Sequence, residues 1–132
     1  PDGLCDLLDP AKLIFVECGR TEDLLWCLEE TLRSGAISFA VAELPEPPPL
    51  TPVRRLHLAA EAGACSGTLP TGLLLLPGDG GAAGTESRWH VAGAHGAGRT
   101  AWRLERRRAK QAPPAAWTLT GAGALTPAQS PA

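Results

Sequence analysis

The chain has no Met, not even at its first position, and only six aromatic residues, four Trp and two Phe, among 132. The missing Met marks the sequence as an expected piece of a longer protein. With so few rings, aromatic burial depends on a handful of positions. No apolar run approaches the ~18 residues that span a bilayer, so a soluble protein without membrane association is expected. No charged-then-apolar N-terminal segment with a cleavage site occurs, so secretion is not signalled. The four cysteines, Cys5, Cys18, Cys27 and Cys65, include no C-x-x-C pair. Zinc ligands come in pairs on short turns, and this spacing does not supply them. Structural thiols in a reducing compartment are expected instead.

What is present is 44% hydrophobic residues and 20% charged, enough for one domain and outside the composition of full disorder. Gly (15) and Pro (13) exceed a fifth of the chain, which implies long irregular segments. Charge is unevenly placed. Residues 1–61 hold eleven acids against five bases, a balance of −6, whereas residues 62–132 hold three acids against seven bases, +4. Six of those seven bases fall between Arg99 and Lys110. Such a cluster suits nucleic acid or an acidic partner; it equally suits a solvated strand edge, where Lys and Arg discourage aggregation.

Periodicity gives an α/β order of elements. Lys12–Glu17 (KLIFVE) reads as a buried strand. Thr21 is an N-cap residue type, Glu22 and Asp23 suit the first turn, and Leu24, Leu28 and Leu32 recur at helical spacing; Gly35 follows where a left-handed residue closes a helix. A helix over Thr21–Ser34 is predicted. Ile37–Ala42 reads as a second strand apolar on both faces, so a βαβ unit around that helix is expected. Pro45–Pro49 must be an extended loop. Thr51-Pro52 opens a second helix, with Leu56, Ala59 and Ala60 as its stripe and Gly63 as its expected end. Gly72–Leu76 reads as a third buried strand. Arg88–Val91 and Thr100–Arg107, joined by the Gly93–Gly98 loop, are expected to pair antiparallel. In the second of these, Trp102 and Leu104 alternate with Arg103 and Glu105, a pattern for one buried face. Ala116–Thr120 is a last strand, and residues 121–132 read as a disordered tail.

The segments Leu8-Asp9-Pro10, LIFVE and TEDLLWCLEETLRSGAISFAVAEL resemble the core of RecA-type recombinases, in which strand, helix and Walker B strand follow in this order. The likeness is closer to the ImuA family, RecA-like and SulA-like proteins of bacterial SOS mutagenesis operons. It rests on LEETLRSGAISFAVAEL, RRLHLAAEAG, GTLPTGLLLLPG, RWHVAG and TAWRLERRR, over roughly residues 8–120. The resemblance implies a RecA-like P-loop NTPase-type core over residues 1–120: a mostly parallel sheet flanked by helices, with antiparallel strands at its C-terminal edge. It places Ile37–Ala42 as the Walker B strand and Glu43 where RecA-type ATPases carry the Asp that holds Mg²⁺ through water. Pro77-Gly78 stands where they carry a polar γ-phosphate sensor. The Gly78–Ser87 loop, matching a DNA-contacting loop, has no base before Arg88. No G-x-x-x-x-G-K-S/T occurs in the 132 residues, so ATP and Mg²⁺ would need a P-loop in an expected further N-terminal part of the protein.

The implied protein is a non-catalytic, cytoplasmic accessory factor in SOS-induced translesion synthesis. It would act with an ImuB-like protein and an error-prone polymerase, with RecA and DNA as further candidate partners. Arg103, Arg106, Arg107 and Arg108 are the candidate contact residues, with Trp102 as a partly buried anchor. A RecA/KaiC-type ATPase and a SulA-like cell-division inhibitor remain open. Among other chemistries, Glu17 and Glu43 could pair around a metal at strand ends, or simply end their strands in solvent. His57 is expected in solvent beside Arg54 and Arg55. Of the three histidines, His57, His90 and His95, His57 is read as exposed rather than catalytic, and His90 has no Ser or Cys nucleophile close in sequence.

Overall fold

The computed structural model describes residues 8–121 and 123–128. Cys5 and the end of the expected tail lie outside them. Helix α1 covers Thr21–Ser34, the predicted span. Its N-cap is Arg20 rather than Thr21: Arg20 is extended, and its guanidinium bonds Asp23 in the first turn at 2.8 and 2.9 Å. The helix stops at Gly35, which takes φ 64° and sends its N–H back to the Leu32 carbonyl. Leu28, Leu32 and Glu29 are buried. The Glu29 carboxylate is held by Arg33 one turn on.

Ahead of α1, the expected strand Lys12–Glu17 does not form. A 3-10 turn over Pro10–Lys12, with the Asp9 carboxylate bonded to the Ala11 N–H, leads into an irregular segment. In it Ile14, Phe15 and Val16 are 82%, 72% and 62% exposed. Apolar, β-branched sequence makes a strand only when a neighbouring strand takes its N–H and C=O groups, and none does so among the described residues. The expected βαβ unit is therefore displaced along the chain.

It is built instead from β1 (Phe39–Glu43), α2 (Leu50–Ser66) and β2 (Thr71–Leu75). The strands run parallel, with Thr71 N–H donating to Ser38 O and Leu44 N–H to Leu75 O, both at 2.9 Å. Neither is covered on both sides: Phe39, Val41, Leu73 and Leu75 remain exposed. The proline run at 45–49 is irregular, as its missing N–H groups require. Helix α2 buries Val53, Leu56 and Ala59. It continues through Gly63, which was expected to end it. A Cβ there would overlap the Leu32 carbonyl oxygen and meet Gly35 N at 3.2 Å. Gly63 serves close backbone approach rather than termination.

The remaining strands form a separate antiparallel meander, β3 (Ser87–Gly93), β4 (Ala101–Ala109), β5 (Ala115–Thr120) and β6 (Leu125–Pro127), in that order. The α/β class holds, but the antiparallel strands make a sheet of their own and not the edge of a parallel one. The first three match the predicted strands closely. The fourth lies in the expected disordered tail: Leu125 pairs with Leu119 and Pro127 with Trp117. A turn at Gly123, with φ 79° and its N–H bonded to Thr120 O, returns the chain onto β5.

The chain divides into two compact units, Pro1–Ala42 with Leu58–Leu73 and Glu43–His57 with Leu74–Ala132. In the first, Leu28, Leu32, Ala42 and Ala59 are the buried apolar residues. In the second they are Leu44, Val53, Leu56, Ala82 and Ala101. No helix among the described residues is long and apolar enough to cross a membrane.

Candidate interface on the antiparallel sheet

The basic strand of the sequence is β4, and its register decides what each arginine can do. The expected alternation of buried Trp102 and Leu104 with exposed Arg103 and Glu105 is absent: residues 102–106 are all half-buried. In a four-stranded meander an inner strand has neighbours on both sides, and their side chains cover both of its faces.

Two of the four candidate arginines are neutralised. Arg103 donates from Nε to Glu105 Oε1 at 2.6 Å. Arg107 donates to Asp79 Oδ1 at 2.6 Å and reaches Glu105 Oε2 at 3.4 Å. His90, opposite Glu105, completes this cluster, with its ring nitrogens 3.8 Å from Asp79 and 4.0 Å from Glu105. The hydrogen bond and charge of Arg107 hold the Asp79 carboxyl below its ordinary value of 3.8. Arg103 chiefly, and then Arg107, hold Glu105 below 4.5. Asp79 in turn raises Arg107. At the end of β4, Lys110 bonds Glu86 and lowers it as well.

These depressed carboxylates give a sign to the pH dependence. Their stabilisation is complete above the ordinary values of 4.5 and 3.8 and is lost as pH falls through the lower folded-state values. Arg107→Ala is therefore expected to be less stable than the parent at neutral pH, with the difference shrinking on acidification below 4.5 and past 3.8. Thermal unfolding at a series of pH values reads this. A deficit that persists unchanged in acid would assign it to the packing of the arginine stem.

The other two arginines are not neutralised. Arg106 donates from Nε to the Pro113 carbonyl at 2.9 Å, and its guanidinium lies 5.1 Å from the Trp117 ring centroid and 5.8 Å from that of Trp89. The two rings are 5.5 Å apart and tilted by 33°. Arg108 stands opposite Arg88 in the β3–β4 register, beside a shift between Arg88 and Trp89. Neither has an ion-pair partner among the described residues. Like charges directly opposite on paired strands repel, so the pair costs the free protein stability and concentrates positive potential there.

Trp102, the expected anchor, sits at the far end of β4, where its ring meets His95 edge-on at 5.6 Å. His95 Nδ1 accepts from the Ala101 N–H. Sequence reasoning missed Arg88, Trp89 and Trp117 as members of the site. Their strands were legible, but which residues stand opposite β4 is a matter of register.

The remaining candidates lie elsewhere. Glu43 ends β1 and is exposed. With Leu44, Pro45, Leu75, Leu76 and Pro77 it lines a shallow depression of about 400 Å³. That lining holds a carboxylate and no cation or hydroxyl, the opposite of a phosphate cradle. Glu17 lies in the irregular segment before α1, not at the end of a strand. Among the described residues no three His, Cys, Asp or Glu side chains gather as a metal site. Cys18 and Cys27 bring their Sγ atoms to 3.7 Å, and desolvation followed by the Cys27 contact pushes the Cys18 thiol up. His57, expected in solvent, is half-buried: its Nε2 is 2.9 Å from the Gly84 carbonyl, tying α2 to the loop before β3.

Compared with protein-family models, curated proteins and solved structures, the chain matches none.

Proposed function

We propose that this chain is a RecA-like, non-catalytic accessory domain in SOS-induced, error-prone translesion DNA synthesis. It contacts DNA through the β3–β6 sheet. The RecA-like reading draws on the residue-by-residue resemblance and on the parallel β1–α2–β2 segment. The non-catalytic reading draws on Glu43 and Pro77 lining a depression without a cation. The cytoplasmic setting and the protein partners, an ImuB-like protein, an error-prone polymerase and RecA, come with the resemblance.

The observation that carries DNA contact is the separation of charges on the sheet. Arg103 and Arg107 are paired with Glu105 and Asp79, while Arg88, Arg106 and Arg108 have no ion-pair partner among the described residues. Phosphate neutralisation releases counterions, so affinity falls linearly in log salt with a slope of ~0.7 per phosphate contact on single strands. Titrating a fluorescent single-stranded oligonucleotide over a range of salt concentrations tests this. The triple variant Arg88→Ala, Arg106→Ala, Arg108→Ala is expected to bind more weakly and to lower the slope by about 2. Affinity and slope equal to the parent's would remove the sheet from the argument.

A further inference from the structure

We infer that the occupant of this sheet face is a single strand of nucleic acid whose bases stack on Trp89 and Trp117; this rests on the reading of the sheet as a DNA contact. The β3–β4–β5 register sets Trp89 opposite Arg106, and both Val91 and Trp117 opposite Leu104, so these side chains share one face. β6 extends it by placing Leu125 opposite Leu119. On this face Trp89 is 44% exposed, Val91 60% and Leu125 55%. A row of exposed apolar groups around an aromatic pair marks an interaction surface.

Its chemistry selects the partner. Trp89 is held in orientation by its Nε1–H, which donates to Ser87 Oγ at 3.0 Å. The guanidinium of Arg106 lies over the ring pair, so a flat π-system arriving there meets two indoles and a planar cation. Arg88 and Arg108, without an ion-pair partner among the described residues, add positive charge at the same end of the sheet but on its opposite face. Aromatic rings beside the guanidinium of Arg106, at an end of the sheet rich in arginine, match a polymer of flat bases on an anionic backbone. A duplex keeps its base faces stacked inside and offers only phosphates, whereas a single strand offers both. The carboxylates Asp79 and Glu105, paired with Arg107 and Arg103, belong to the His90 side of the sheet and not to the face of Trp89 and Trp117.

The test compares an oligothymidylate of about twenty nucleotides with an abasic deoxyribose-phosphate strand of the same length, by fluorescence anisotropy at one salt concentration. The parent chain should bind the thymidylate about tenfold or more tightly than the abasic strand, from base stacking. Trp89→Leu should lose most of that preference and keep the binding of the abasic strand. Trp89→Phe, which retains a ring, should keep part of it. If the parent binds both strands equally, stacking is overturned while the DNA contact stands. If it binds neither, the DNA reading itself fails. Displacement of the thymidylate by polyglutamate as readily as by unlabelled thymidylate would make this a surface for an acidic protein and overturn the inference. The comparison of the two strands on the parent chain decides the matter even where a Trp variant does not fold.

Discussion

Gly63→Ala is expected to destabilise the chain by about 3 kcal/mol or more, the upper range for forcing volume into a packed interior. Gly63 sits inside α2, where alanine is ordinarily the better helix former by ~1 kcal/mol, so local propensity alone predicts the opposite sign. The contact that reverses it is backbone on backbone. The added Cβ would overlap the carbonyl oxygen of Leu32 and press on Gly35 N at 3.2 Å. A main-chain carbonyl in the last turn of α1 cannot rotate away as a side chain can. Relief requires moving α1 off α2, exposing Leu32 and Ala59, which are 2% and 0% exposed. Two substitutions calibrate the effect. Gly72→Ala would meet only the Leu32 side chain, nearest at Cδ1 at 3.2 Å, which can shift. Gly19→Ala meets nothing within 4 Å. Urea unfolding of the three variants should rank them Gly63, Gly72, Gly19 in order of loss. Gly63→Ala at the parent's stability would contradict the close approach of the helices.

The second large effect is expected at Leu44. It directly follows β1 and is 1% exposed, the largest fully buried side chain in the structure. Leu44→Ala should cost about 3 kcal/mol, the sum of lost transfer energy and the cavity left behind. Its N–H bond to the Leu75 carbonyl is made by the backbone and survives the substitution, so the measured loss reports packing alone. Leu58→Ala, on an exposed face of α2, should change stability by no more than ~0.5 kcal/mol. Equal losses at the two positions would mean that Leu44 is not in the core.

Local signals were read correctly where the physics is local. The apolar spacing of Leu24, Leu28 and Leu32 and the left-handed demand at Gly35 set the span of α1. The prolines of 45–49 forbid regular structure by their own geometry. Two strand-like runs joined by the short Gly93–Gly98 loop were enough to pair β3 with β4 antiparallel. Where the reading failed, the deciding group lay in another element of the chain. Ile14–Val16 has strand composition but no strand beside it, and composition carries no information about a neighbour. Leu125–Pro127 looked like a tail because a three-residue strand has almost no pattern of its own; its order comes from β5.

The candidate site divides in the same way. The sequence by itself determined that positive charge gathers in β4 and that no phosphate-binding loop occurs in these 132 residues. It also determined that Trp is the main aromatic. Which arginines are free was decided only by the tertiary structure. Arg103, Arg106, Arg107 and Arg108 are equivalent as a run of bases. Glu105, two residues along the same strand, neutralises Arg103, and the loop that brings Asp79 to Arg107 neutralises the second, while cross-strand register lays Arg106 over Trp89 and Trp117 and sets Arg108 against Arg88. The physical reason is range. Charge, ring and backbone restriction belong to single residues and can be read one at a time. Stacking, close approach and the pairing of Arg107 with Asp79, 28 positions away, belong to pairs of residues and exist only once the chain has folded.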